Sequence, residues 1–370
     1  MESGKFNKYQ QAGEIVNMAL KKAKELCQEK QKASYVCIFC DTFIKESLDK
    51  MYKKSKKGLS LPTCLSINNI VAHDSYTENN DYQIQDNDII RIEMACHIDD
   101  NVASVGDTIK IGDIEWENNN IMTAAKKALE VGIMGIEPNQ PITQYADNIK
   151  NVAKCFGLNI VERPKVFHEY DTTILFDWGF RNGEMFNEPS WVVVKDHELE
   201  LENLDELDDK DIDKNIDFTI GETYHLIVAF TTSNKPSSVS DKTPILFQNT
   251  INRHNLKSKY ARELISFVTK NYETECFKLS DTGMGEGCVK LGARECLTHG
   301  VLRNLGLVEC RKAETVLLKC SIVIQDNSVY KLTGPKLDEI HEHCKLTENL
   351  NNILKESPKF NKRARYLDDF

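Results

Sequence analysis

The chain predicts an α/β fold: a mixed sheet flanked by helices, with a helix-rich insertion in its second half. Three observations carry this. Two segments of helical period open the sequence, strand-like runs bounded by turn residues follow them, and the order of helices then strands returns after residue 117. With 370 residues the chain can fill one large domain, or two fused halves, around a sizeable apolar core.

Taken in order, "KYQQAGEIVNMALKKAKEL" from Lys8 to Leu26 sets Ala12, Ile15, Val16, Ala19 and Ala23 at helical spacing with lysines opposite, an amphipathic first helix. A second helix is expected over Val36 to Met51, ended by the lysine-rich loop "YKKSKKG" and Gly58. "LSLPTCLSINNIVAH" reads as a strand with Asn68 and Asn69 available for a turn. "DNDIIRIEMACHIDD" begins a β-hairpin that returns through "NVASVGDTIKI". Two more helical patterns, "ENNNIMTAAKKALEVGIMG" and "PITQYADNIKNVAKCFGLNIV", are parted by the breaker "IEPNQP". Strands resume at "TTILFDWGF", "SWVVVKDH", "ETYHLIVAFTT", "ETVLLKCSIVIQD" and "SVYKLTG", interrupted by helix-rich sequence from about Ser233 to Asn304. Within it "TGMGEG" (Gly283, Gly285, Gly287) looks like a phosphate loop. No convincing strand precedes it and no Lys-Ser/Thr follows, so an ordinary flexible loop is expected.

The first residues lack a cationic segment followed by an apolar run, and no stretch of about 18 apolar residues occurs, so neither a secretory signal nor a membrane span is read. The chain is expected in the cytoplasm, with the nucleus as a second compartment. Its twelve cysteines, irregularly spaced from Cys27 to Cys344, are then reduced core residues. Neither "VCIFC" (Cys37, Cys40) nor "HEHC" (His341, His343, Cys344) brings the four ligands a structural zinc needs, and no metal or cofactor is expected. The net charge of −10 is uneven: residues 195–217 hold eleven acids against three bases. The rest of the chain is nearly neutral, so a protein acidic overall can still present a basic face.

Six stretches carry a family resemblance: "KYQQAGEIVNMAL", "LPTCLSINNIVAH", "IIRIEMACHIDDNVA", "FTIGETYHLIVAF", "TINRHNLKSKYARELISFV" and "YKLTGP". Their order resembles that of the pita-bread fold of type 2 methionine aminopeptidases, and most of all its ErbB-binding, proliferation-associated branch, which is catalytically inactive. The resemblance runs from about residue 7 to 340 and is weakest between 162 and 217. It implies a pseudo-two-fold pita-bread domain over 7–340, an insertion at 233–304 within it, and a polar, basic tail over 341–370.

In the peptidases, two dications about 3.5 Å apart need anionic bridges to activate a water and polarise the scissile carbonyl. The resemblance places their five ligand positions at Glu93, Ser104, His168, Ile227 and Lys319, and a substrate-contacting histidine at His73. Ile227 has no donor atom and Lys319 is cationic. With two like charges about 4 Å apart worth some 4 kcal/mol at an effective dielectric of ~20, replacing an anion by a cation opposes a metal strongly. A degenerate, non-catalytic site is implied, with Glu93 expected to pair with Lys319. His73 reads either as a surviving pocket residue or as a hydrogen-bonded structural histidine.

The branch is also similar to factors that bind the large ribosomal subunit near the polypeptide tunnel exit, and some relatives accompany its precursors during biogenesis. The same implied contact regions are basic here. One is the loop with Lys53, Lys54, Lys56 and Lys57; the other is the insertion, where Lys235, Lys242, Arg253, Lys257, Lys259, Arg262 and Lys270 face only Asp241 and Glu263. Clusters of this kind can follow a phosphate backbone without reading bases; the plain alternative is a solvated helical face. The expected partners are the large subunit, its rRNA and tunnel-exit proteins, bound by a monomer. The tail "SPKFNKRARYLDDF" is less basic than in the branch, which weakens nucleolar targeting, and the acidic 195–217 stretch is heavier. A divergent metallopeptidase, and a peptide adaptor using the old cleft without RNA, are the competing readings.

Overall fold

The computed structural model of the chain describes residues 3–161, 193–195, 217–335, 337, 346–355 and 365–366, without residues 100, 142, 251, 274, 326 and 327. Helix α1 (Ser3–Leu26) buries Tyr9, Ala12, Ile15, Val16, Ala19 and Ala23 along one stripe, and begins five residues before the expected start. Helix α2 (Ala33–Asp49) buries Val36, Cys37, Cys40 and Ile44, so both cysteines of "VCIFC" are core residues. Strands β1 (Lys57–Ile67) and β2 (Ile70–Ala72) follow, separated by the expected Asn-Asn turn. Asn68 takes φ +52° there, a left-handed conformation that asparagine tolerates.

The hairpin is formed by β3 (Ile89–Ile98) and β4 (Asn101–Lys110), and α3 (Asn120–Met134) and α4 (Thr143–Cys155) come next. Then follow β5 (Asn159–Ile160), β6 (Val193–Lys195), β7 (Thr223–Thr231) and β8 (Ser238–Val239). The insertion contributes β9 (Leu246–Asn249), α5 (Lys259–Asn271), β10 (Cys276–Lys278), α6 (Glu286–Thr298) and β11 (Leu302–Asn304). The described chain closes with β12 (Val308–Glu309), β13 (Thr315–Gln325), β14 (Ser328–Lys331), α7 (Glu348–Lys355) and β15 (Arg365–Tyr366).

Nine strands form the main sheet in the order β1-β3-β4-β13-β14-β15, with β7 alongside β13 and carrying β5 and β6. Among the described strands only β14 and β15 pair in parallel; the other pairs are antiparallel. The two halves meet at the seam between β4 and β13, where Gly106 lies opposite Lys319. Period-2 alternation decides what each face of these strands holds. Ile90, Ile92, Met94, Cys96 and Val105 pack with α1 and α2, whereas Leu226, Val228, Leu318 and Cys320 pack with α3 and α4. Two helix pairs on two half-sheets give the pseudo-two-fold arrangement.

The residues between them, Glu93 and Ala95 on β3, Ile227 on β7 and Lys319 and Ser321 on β13, therefore face the other way. That face is covered too. Val71, Ala72, Val308 and Cys310 close over Ile227 and Leu317, and Leu61, Cys64, Leu246, Cys276 and Leu305 close over Ala95. The insertion was expected to be helical; it also holds its own antiparallel sheet, β10-β9-β11, around Phe247, Leu264, Val268, Phe277 and Val289. Strands of three or four residues are too short to show a period in the sequence. "TGMGEG" likewise follows strand β10 through one 3-10 turn and opens α6.

Candidate functional site

The register of three neighbouring strands builds the centre of the covered face. Glu93 lies opposite Gly106 on one side and Lys319 lies opposite Gly106 on the other. Because residue 106 has no side chain, the two long ones meet above it. A Cβ there would stand 3.0 Å from Lys319 Cβ and 3.5 Å from Glu93 Cγ. Lys319 Nζ donates to Glu93 Oε1 at 2.8 Å, so the expected pair is present. His73 Nδ1 lies 3.2 Å from the other carboxylate oxygen, and the side chains of all three are fully buried. His73 thus takes the structural role rather than lining an open pocket. Its φ of +62° directs the chain out of β2, a conformation uncommon outside glycine.

Burial alone would push the Glu93 carboxyl up. Lys319 and His73 outweigh it, and the group is held down at about 2. Burial pulls the Lys319 ammonium down to about 8, only partly offset by Glu93. Burial opposes the charge on both partners and their mutual attraction opposes burial, the balance usual for a buried ion pair. Both stay charged at neutral pH.

The second position, Ser104, is also buried but serves a different network. Its backbone N–H donates to Ser321 Oγ at 2.9 Å, and its hydroxyl is 3.0 Å from His225 Nδ1. Ser321 Oγ is 2.7 Å from the same nitrogen, and Thr333 donates to the Ser104 carbonyl oxygen. Burial, and then the Lys319 charge, push His225 down to about 3, so the imidazole is neutral at ordinary pH. Sequence reasoning missed His225 and Ser321. Each sits two residues from an identified position, Ile227 and Lys319, and the strand period could have found them. Ile227 is packed among Val71, Ala72 and Leu317, and His168 lies outside the described residues.

The four described positions therefore offer one carboxylate already bound to an ammonium, one hydroxyl bound to a histidine, an alkyl chain and a cation. That donor set does not fit two dications. Nor is it reached from outside, since Glu93, Ser104, Ile227, Lys319 and His73 are each at most 1% exposed. A concavity of about 280 Å³ lies elsewhere, between α2, the turn at 76–79 and residues 278–281. At its edge Lys278 Nζ meets Asp41 Oδ2 at 2.8 Å.

The basic residues divide. Lys53 and Lys54 are exposed on the loop after α2, and Lys57 Nζ donates to the Met51 carbonyl. Lys56 Nζ reaches Glu273 Oε1 at 2.6 Å, just beyond the end of α5. This contact sets the lysine loop against the helix whose exposed positions include Lys259, Arg262 and Lys270. A shallow depression along α5 is lined by Arg262, Ser266, Phe267 and Lys270. Arg253 and Lys257 are exposed just before the helix. Lys235 is exposed in the turn after β7, away from α5 in sequence and held by Ser233. Lys242 departs from the expectation of a surface phosphate contact: its ammonium is 2.5 Å from Asp74 Oδ2 and 4.4 Å from the centre of the Tyr76 ring. The acidic stretch lies, but for residues 195 and 217, outside the described residues, as do His341, His343 and Cys344.

Residues 7–181 match the model of metallopeptidase family M24. The chain is 27% identical over 353 residues to ErbB-3 binding protein 1 of Solanum tuberosum, covering 92% of this chain and 84% of that one. A solved structure of a thermophilic Arx1 superposes with a TM-score of 0.72 at 22% identity, over 96% of this chain and 98% of that one. Methionine aminopeptidase from Thermotoga maritima does so with a TM-score of 0.53 at 11% identity, over 90% and 98%. The pita-bread fold is shared with the aminopeptidases, and the resemblance to the ErbB-binding branch holds along nearly the whole chain. No helix among the described residues is long and apolar enough to cross a membrane.

Proposed function

We propose that this aminopeptidase-like protein is not a peptidase and that it docks on the large ribosomal subunit through rRNA phosphates. The observation that carries the first part is the ammonium of Lys319 hydrogen-bonded to Glu93, at the centre the resemblance assigns to the metals. An internal cation stands where a dication would have to be, and the positions around it are sealed. The second part is supported by the contact between Lys56 and Glu273. It brings the lysine loop to the C-terminal end of α5, and on this reading Lys53, Lys54, Lys259, Arg262 and Lys270 act together as one basic surface, although the two segments are far apart in sequence. The same surface is where the resemblance implies rRNA contact. A phosphate-following surface of this kind acts in ribosome biogenesis or translation, in the cytoplasm and the nucleus.

Co-sedimentation with purified large subunits tests the reading. Each neutralised phosphate releases counterions and contributes about −0.7 to −0.9 to the slope of log affinity against log salt. Binding is expected to weaken steeply with salt, and changing Lys53, Lys54 and Lys56 to Glu is expected to reduce it without unfolding the protein, because exposed charges contribute little stability. Changing Lys257, Lys259 and Arg262 is expected to act alike. If both variants co-sediment like the unmodified protein at physiological salt, the lysines are solvated surface and an adaptor role is the better account.

A further inference from the structure

Resting on the RNA-binding reading above, we infer that the stacked pair His254 and His299 is a platform for unpaired RNA bases at the far end of the basic surface. The two imidazoles lie parallel, with ring centres 3.8 Å apart and planes inclined by 11°, and both residues are exposed. A parallel pair of exposed rings can be extended by one more planar ring.

The pair is held by its backbone rather than by chance contact of two mobile side chains. Thr250 Oγ1 and Asn252 Nδ2 both donate to the Gly300 carbonyl, at 2.6 and 3.3 Å, which ties the segment bearing His254 to the one bearing His299. The His299 N–H donates to the Glu295 carbonyl at the end of α6. The Glu295 carboxylate accepts the N–H groups of Lys257 and Ser258, at 2.6 and 2.9 Å, and so fixes the start of α5 against α6. Gly292 makes that approach close: a Cβ there would stand 2.7 Å from the Tyr260 carbonyl oxygen. Tyr260, on the first turn of α5, turns its side chain to Cys288 on α6 and so adds to the same helix contact.

Arg253 and Lys257 are exposed within three residues of His254, and Arg294 is exposed on the last turns of α6 before His299, whereas Lys259 pairs with Glu263 and Lys290 with Glu286. From here α5 runs for 13 residues, about 20 Å, to the end that meets the lysine loop. Flat rings at one end of a basic track suit single strands, whose splayed bases stack on aromatic side chains; duplex RNA offers phosphates and shape but no free base faces.

The test uses the full chain and two fluorescent RNAs with equal numbers of phosphates, an unstructured strand of about 12 nucleotides and an A-form duplex, titrated at fixed salt. For the variant His254→Ala/His299→Ala, affinity for the single strand is expected to fall about 5- to 150-fold, with the duplex and the salt slope unchanged. The variant His254→Phe/His299→Phe is expected to retain single-strand binding, because the stack survives without the imidazoles. Unchanged single-strand binding in the alanine variant, or equal loss for both RNAs, overturns the inference and leaves the basic-surface reading standing. If the alanine variant loses ribosome binding but no RNA affinity, the patch docks a ribosomal protein and the inference falls. If the unmodified protein binds neither RNA, this inference and the RNA reading fall together.

Discussion

Replacing Lys319 by Met removes a cation whose side chain is 0% exposed and leaves its shape nearly filled. In the unmodified protein Lys319 and His73 overcome the effect of burial and bring the Glu93 carboxyl from its ordinary 4.5 to about 2. At about 1.4 kcal/mol per unit, the ionised form gains on the order of 3 kcal/mol over the protonated one. Without the ammonium, the carboxylate remains in a sealed site with His73 alone 3.2 Å away. The expected loss of stability near neutral pH is therefore about 3–5 kcal/mol, read from urea denaturation midpoints.

Acid separates this cause from a simple packing defect. In the unmodified protein the carboxyl is depressed, so its contribution is complete above 4.5 and is lost as pH falls from 4.5 through about 2. In the variant the folded carboxyl rises above the unfolded one and takes up a proton more readily. Its penalty shrinks as pH falls, and the gap between the two proteins narrows. The double variant Glu93→Leu/Lys319→Met, with neither charge, is expected within about 1.5 kcal/mol of the unmodified protein or above it. A single variant within about 1 kcal/mol of the unmodified protein would refute the argument. So would a gap indifferent to acid, or a double variant no better than the single.

Two further expectations concern the same region. Elemental analysis of the purified protein, after exposure to cobalt, manganese or zinc, is expected to find no pair of bound equivalents, and Met-Ala peptides are expected to stay intact; two equivalents together with cleavage would restore the peptidase reading. His225 is held at about 3 against an ordinary 6.5, so the unfolded chain binds its proton first and stability falls as pH drops below 6.5, by about 1.4 kcal/mol per unit. The variant His225→Gln is expected to lose about 1–2 kcal/mol near neutral pH, from its bonds to Ser104 and Ser321, yet to show a shallower decline on acidification. Parallel denaturation curves for the two proteins across that range would count against it.

The elements that were legible in the sequence are those whose signal is local. The amphipathic stripe of α1, the Asn-Asn turn and the long hairpin could each be read from a dozen residues. The pairing of Glu93 with Lys319 was legible for another reason: both occupy positions of one site in the family the chain resembles, and their charges are opposite. Lys242 was misread because its partner Asp74 lies 168 residues earlier, and only the tertiary fold brings them together. The strands β9, β10 and β11 were hidden by their brevity, before, between and after the two helices α5 and α6. His225 and Ser321 are not ligand positions in the family the chain resembles, so that resemblance does not point to them, although two residues along a strand they share a face of β7 and β13 with Ile227 and Lys319.

On the non-peptidase reading proposed above, the buried pair explains how the fold of the aminopeptidases can hold together without dications. A sheet centre that has lost its dications but kept one carboxylate would carry a buried, unpaired charge, which is strongly destabilising. Lys319 cancels it from within the chain. The register makes this possible at one place on the seam, because Gly106 leaves room between the two strands for both long side chains. His225 Nδ1 and the Ser104 and Ser321 hydroxyls meet one another beside it, so this face of the sheet carries its own hydrogen bonds. The loop, the exposed side of α5 and the ring pair at its far end lie open to a partner.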